Sequence, residues 1–191
     1  MNKVLITGAN SGLGRHLVSK FKNNGYEVFE HNGSKHYNLT NQDEVKRLAD
    51  AAKDFGVNIL INNAAIICPG KELLLYSHDE ISNMVEVNLT APILLTFYLL
   101  NQLTDIININ SMVGLEIKSP RTLYSATKWG LRGFAQSLKE ENKNINILDV
   151  YPTNIQTTPD KQNAMNINFV IDSIYESFTN KEQTLILDGR K

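Results

Sequence analysis

The chain has 191 residues, 42% of them hydrophobic and 20% charged, which suffices for one ordinary globular core and leaves little room for a second domain. Nineteen Lys and Arg against twenty Asp and Glu give a formal charge of −1, so no long-range field draws in polyanions and a nucleic-acid partner has no support. One cysteine, Cys68, excludes an intramolecular disulfide, suits a reducing compartment and reads as an inert loop or core thiol.

In chain order, "KVLIT" (3–7) reads as a first strand and "LGRHLVSKFKNNG" (13–25) as a helix with Leu13, Leu17, Val18 and Phe21 on one face, stopped by Gly25. "YEVFEH" (26–31) is a second strand, and "KHYNL" (35–39) reads as a short third one with almost nothing between them. Asn41 and Glu44 mark the start of a helix through 54, and "VNILINNAA" (57–65) is a buried strand running into a turn. Ser77 and Glu80 form a capping box ahead of a helical stretch over 78–102, in which Pro92 predicts a local kink or irregularity. A strand at 105–111, a helix at 122–142, a strand at 145–152, a helix near 166–179 and a strand at 184–188 complete the chain.

This alternation predicts an α/β fold, a Rossmann-like doubly wound parallel sheet in a single domain over 1–191, with a shortened crossover between strands 2 and 3. The apolar run near the N-terminus is too brief for a secretory signal, and "APILLTFYLL" (91–100) is about half a membrane span. A cytoplasmic protein with no membrane partner is expected.

"TGANSGLG" follows the first strand and opens the first helix, with Gly8, Gly12 and Gly14 spaced G-x3-G-x-G. Glycines there let backbone approach a pyrophosphate, and unpaired amides at the helix start favour its charge. The phosphate loop of nucleotide hydrolases needs Gly-Lys followed by Ser or Thr, whereas Gly14 is followed by Arg15 and His16. A dinucleotide is the preferred reading.

Taken together, "TGANSGLG", "NNAA" (62–65), Asn88, Ser111 and Tyr124-x3-Lys128 resemble the short-chain dehydrogenase/reductase family, in the family's order and over nearly the whole chain. The resemblance implies an NAD(P)-dependent oxidoreductase with a catalytic tetrad of Asn88, Ser111, Tyr124 and Lys128. Reducing a carbonyl puts negative charge on its oxygen, so a proton donor and hydrogen-bonding neighbours are needed there. Tyr124 is the expected donor, or base in reverse; Lys128, one turn away, would lower its pKa from the ordinary value of about 10. Ser111 would hold the substrate oxygen and Asn88 a water.

For the cofactor, the resemblance implies contacts from Gly8, Asn10, Ser11, Gly12, Leu13 and Gly14 in the glycine turn, and from Asn32, Ser34 and Asn38 after strand two. It implies others from Asn63, Ala64 and Ala65, from Tyr124 and Lys128 themselves, and from Pro152, Ile155 and Thr157 in a nicotinamide-side loop. No metal site is expected. The acidic residue that marks NAD at the end of strand two is replaced near Asn32, where Ser34 and Lys35 can meet a 2′-phosphate. NADP(H) is therefore preferred over NAD(H), although Glu30 and the absence of Arg leave both open.

Other departures are Asn38 for an adenine-contacting aspartate, Ala65 for glycine, and Thr153 for the glycine expected after Pro152, which restricts the backbone beside the nicotinamide pocket. The short polar segment 157–166 predicts an open site for a small or polar carbonyl, or one carried by a larger molecule. The resemblance also implies a homodimer or homotetramer built on the helices at 78–102 and 122–142. The alternatives are a nucleotide-sensing binding protein without efficient turnover, and a sugar-nucleotide epimerase or dehydratase, for whose substrate domain too little chain remains.

Overall fold

A computed structural model describes residues 2–10, 12–67, 70–157 and 164–190; Ser11, Cys68 and most of the segment expected to border the substrate lie outside the described residues. Six strands form one parallel sheet: β1 (Lys3–Thr7), β2 (Glu27–His31), β3 (Ile59–Asn62), β4 (Asp105–Ile109), β5 (Asn146–Pro152) and β6 (Thr184–Leu187). Their order is β2-β1-β3-β4-β5-β6. Strand order reverses beside β1, whose neighbours are β2 on one side and β3 on the other. A crevice therefore opens at the carboxyl ends of β1 and β3.

Because successive strand side chains point to opposite faces, each strand supplies both halves of the core. Val4, Ile6, Ile61 and Ile107 pack with Leu17 and Phe21 of α1 (Gly12–Asn23) and with Val170 and Ile174 of α6 (Ile167–Thr179). Leu5, Leu60 and Ile106 face the other way, onto Leu48 of α2 (Gln42–Phe55), Leu95 of α4 (Ala91–Leu99) and Ala135 of α5 (Thr122–Glu141). A buried polar line crosses three strands: Asn62 Nδ2 donates to Asn108 Oδ1 at 2.9 Å, and Asn108 Nδ2 donates to Asp149 Oδ1 at 3.0 Å. Lys139 closes it with an ion pair to Asp149 at 3.0 Å, so a register slip would strand charge in the core.

The expected strand at 35–39 does not form; residues 34–36 are a turn, and the chain passes from β2 straight into α2. Three residues between two strands cannot make a parallel crossover, so the connection to a neighbour of β1 is made by α2 itself. The polar groups of this segment are satisfied locally. Asn38 N–H donates to Glu44 Oε2 at 2.7 Å, and Asn41 accepts from the amides of Asp43 and Glu44 as helix cap.

The capping box at Ser77 and Glu80 starts α3 (His78–Val85). The irregularity expected from Pro92 lies just before it, as a π turn over Glu86–Thr90 in which the Ala91 amide donates to the Glu86 carbonyl. Proline lacks an amide and its ring crowds the carbonyl four residues back, here that of Asn88, so a widened turn relieves the clash. By length and composition alone His78–Gln102 could cross a membrane. In the fold, Ala91, Leu95 and Leu99 bury one side of it against the sheet and α2.

Candidate active site

The carboxyl ends of β1, β3, β4 and β5 border one cleft of about 820 Å3, a size that suits a small ligand or cofactor. At the β1 end, Gly8 has φ +65°, a left-handed conformation that disfavours side chains, and a Cβ there would lie 3.0 Å from Ala64 Cα. Gly14 in α1 packs so closely on the Gly8 carbonyl that no Cβ fits between them. Asn63 secures the turn, its Nδ2 donating to the carbonyls of Thr7 at 2.7 Å and Gly8 at 3.1 Å. Gly8, Gly12, Leu13 and Gly14 line this end, with Asn63, Ala64 and Ala65 on the β3 side.

Of the residues expected after β2, Ser34 and Asn38 line the cleft. Asn32 is exposed and does not, and its carbonyl accepts from Asn10 Nδ2 at 3.2 Å, so these two engage each other outside the cleft lining. Pro152, Ile155 and Thr157 line the far wall. Thr153 beside them keeps a negative φ; its hydroxyl accepts from Gly189 N–H at 2.9 Å and lies 3.3 Å from the Leu187 carbonyl, pinning the C-terminal segment to the cleft.

Ser111, Tyr124 and Lys128 meet at the β4 end. Lys128 is 2% exposed, its ammonium donates to the Ile109 carbonyl at 2.9 Å, and among the described residues it has no ion-pair partner. Burial of this uncompensated charge lowers its pKa to about 8. Its Nζ stands 5.8 Å from the centre of the Tyr124 ring. The expectation that Lys128 lowers the phenol pKa needs correction: burial raises it, and what opposes this is a hydrogen bond with Ser111 and the charge of Arg121.

Asn88 does not line the cleft. Its Oδ1 accepts from Ile66 N–H at 2.7 Å and its Nδ2 donates to the Ile66 carbonyl at 2.9 Å and to Thr127 Oγ1 at 3.3 Å. It thus ties the loop after β3 to the helix turn that carries Lys128.

A family model described as short chain dehydrogenase matches residues 31–167. The chain belongs to the short-chain dehydrogenase family. Among curated members, it is 34% identical to a nodulation protein G of a Rhizobium species, over 81% of this chain and 74% of that one. It is 31% identical to a 3-oxoacyl-acyl-carrier-protein reductase of Buchnera aphidicola, over 80% and 73% of the two chains. A bulky-bulky ketone specific alcohol dehydrogenase from Comamonas testosteroni superposes with a TM-score of 0.85 at 25% identity, covering 97% of this chain and 86% of its own. An alcohol dehydrogenase from Thermococcus sibiricus complexed with 5-hydroxy-NADP shares the fold at a TM-score of 0.88 and 20% identity, covering 100% of this chain and 97% of its own.

Two residues that this short-chain dehydrogenase places at the site escaped the sequence reading. His31 ends β2, accepts from Gly8 N–H at Nδ1 (3.3 Å) and contacts the Tyr37 carbonyl through Nε2 (2.8 Å), which makes Nε2 the protonated nitrogen of a neutral ring. Asn110 accepts from Ser111 N–H at 2.9 Å and donates to the Lys128 carbonyl at 3.2 Å, joining β4 to α5 through one buried amide. Neither lies in a spaced motif; a polar residue directly before Ser111 was the one available signal.

Proposed function

We propose that the protein is an NAD(P)-dependent oxidoreductase that reduces a carbonyl to an alcohol, with Tyr124 as general acid and Ser111, Lys128 and Asn88 completing the site. The observation that carries this reading is a buried lysine with no ion-pair partner among the described residues, beside a buried tyrosine and a strand-end serine, all on one cleft. The bound cofactor supplies a hydride to the carbonyl carbon.

The remaining work falls to the chain. Ser111 Oγ holds the substrate oxygen, and the Tyr124 hydroxyl gives that oxygen its proton as charge develops. Lys128 carries donors beyond the one spent on Ile109 and can hold the cofactor ribose. Asn88 keeps the Ile66 loop and the Thr127 turn together, which fixes the lysine. The glycine turn and the first amides of α1 receive the pyrophosphate.

NADP(H) is preferred because the strand-two end presents exposed Asn32, Ser34 and Lys35 with no acid among them. Fluorescence titration checks this: tighter binding of NADPH than NADH is expected, and the reverse would overturn the preference. Activity is checked on a panel of ketones and dicarbonyls with NADPH. Tyr124→Phe should lower turnover by roughly 10^2–10^4, the usual worth of a proton donor, with cofactor affinity little changed. Good cofactor binding with negligible turnover in wild type and variant alike would favour the nucleotide-sensing alternative. The assembly proposed is a homodimer through α4 and α5, supported by Phe97 and Trp129, which stand 69% and 44% exposed on those helices.

A further inference from the structure

We propose that the substrate bears an anionic group, carboxylate or phosphate, which Arg121 binds beside Tyr124 with Lys118 at the outer rim. The proposal rests on the carbonyl-reductase reading of the same cleft.

Among the described residues, three side chains of fixed positive charge besides Lys128 line the cleft: Lys118, Arg121 and Arg190. Arg190 is already balanced, pairing with Glu116 at 2.6 Å and Asp188 at 2.8 Å. Lys118 and Arg121 have no ion pair among the described residues. Arg121 is half-buried and stands at the N-terminal end of the 20-residue helix α5, where its side chain makes no capping bond. A helix places partial positive charge at that end, so an arginine there raises the local electrostatic energy rather than lowering it. Burial in a concave wall strengthens the field further. A neutral ketone would leave this charge unanswered, whereas an anion would answer it with a bidentate contact.

The glycine turn, to which the cofactor pyrophosphate is assigned, is a different part of the cleft lining. The glycine turn follows β1, two strands from β4 in the sheet, or about 10 Å away at ordinary strand spacing. Arg121 is the residue that opens the turn carrying Tyr124 three positions on, a placement that suits an anion a few bonds from the reacting carbonyl. The proximity of the Arg121 charge also holds the Tyr124 phenol below where burial alone would put it.

The test compares kcat/KM, with NADPH, for 3-oxobutanoate against its methyl ester and for 3-oxobutyl phosphate against 4-hydroxybutan-2-one. Wild type should favour the anion in one pair by about tenfold or more, the worth of one charge-assisted contact. Arg121→Gln should abolish that ratio, mainly through KM, and Arg121→Lys should restore part of it. The pair that responds identifies carboxylate or phosphate. An anion-to-neutral ratio equal in wild type and Arg121→Gln for both pairs overturns the proposal, while turnover of the neutral partners would leave the reductase reading standing. If no carbonyl is reduced, that reading falls, and the anion site is judged by melting temperature with NADPH present. A rise with 3-oxobutanoate or 3-oxobutyl phosphate that Arg121→Gln loses supports it; no rise, or one the variant keeps, overturns it.

Discussion

Protonation of His31 would remove the acceptor that holds the Gly8 amide, so this residue couples pH to the shape of the glycine turn. Its pKa lies below the ordinary 6.5, chiefly because burial disfavours the charged ring, with the neighbouring charge of His36 adding to that against the Tyr37 carbonyl. The unfolded chain therefore takes up the proton first as pH falls. Stability from the neutral ring is complete above about 6.5 and is lost on descending through the lower native value. Denaturant midpoints between pH 8 and 5 should fall in wild type and fall less in His31→Gln, whose amide can accept from Gly8 and donate to Tyr37. A slope unchanged by the substitution would place the titration elsewhere. The contrast with Tyr124 and Lys128 explains what was readable. Those two sit one helical turn apart, so local periodicity announces them. The partner of His31 lies 23 residues away in sequence, and only the parallel pairing of β1 with β2 brings them together.

At the scale of elements, the contact of α1 with β1 depends on having no side chain at Gly14. A Cβ there would overlap the Gly8 carbonyl and come within 2.7 Å of Asn63 Nδ2, and neither can retreat, because Asn63 is fixed by two carbonyls. Gly14→Ala should cost about 1–3 kcal/mol by urea unfolding, the range for overpacking, despite alanine's better helix propensity. A neutral or stabilising result would mean that α1 can slide away from the turn. Most element positions were legible because caps and periodicity are local: Asn41, Ser77 and Glu80 cap where expected. The supposed strand at 35–39 was misread because its apolar and β-prone residues fit a strand pattern. Its environment does not, since Tyr37 and Asn38 are claimed by His31 and Glu44. Pro92 foretold an irregularity, but its form as a π turn depends on the clash with the Asn88 carbonyl and could not be read from composition.

For the molecule as a whole, α4 leaves Phe97 largely exposed on the side opposite Leu95 and Leu99, and the proposed dimer would cover it. Sedimentation should give twice the chain mass for wild type and a monomer for Phe97→Glu; a monomeric wild type would remove the dimer. The fold class was legible from the alternation of elements, whereas the cations of the cleft that lack an ion pair among the described residues were not, because pairing depends on which acids the fold brings near them. The passage of the chain straight from β2 into α2 has one more consequence. It leaves β2 as the last strand on its side, hydrogen-bonded to β1 alone. Such a rim is a template for accretion of further chains. Glu27 and Glu30 put charge along that strand, each paired with a lysine from a neighbouring element, Lys3 at 3.6 Å and Lys22 at 2.6 Å. A sheet that ends early on this side thus carries a charged border that resists fibrous self-association.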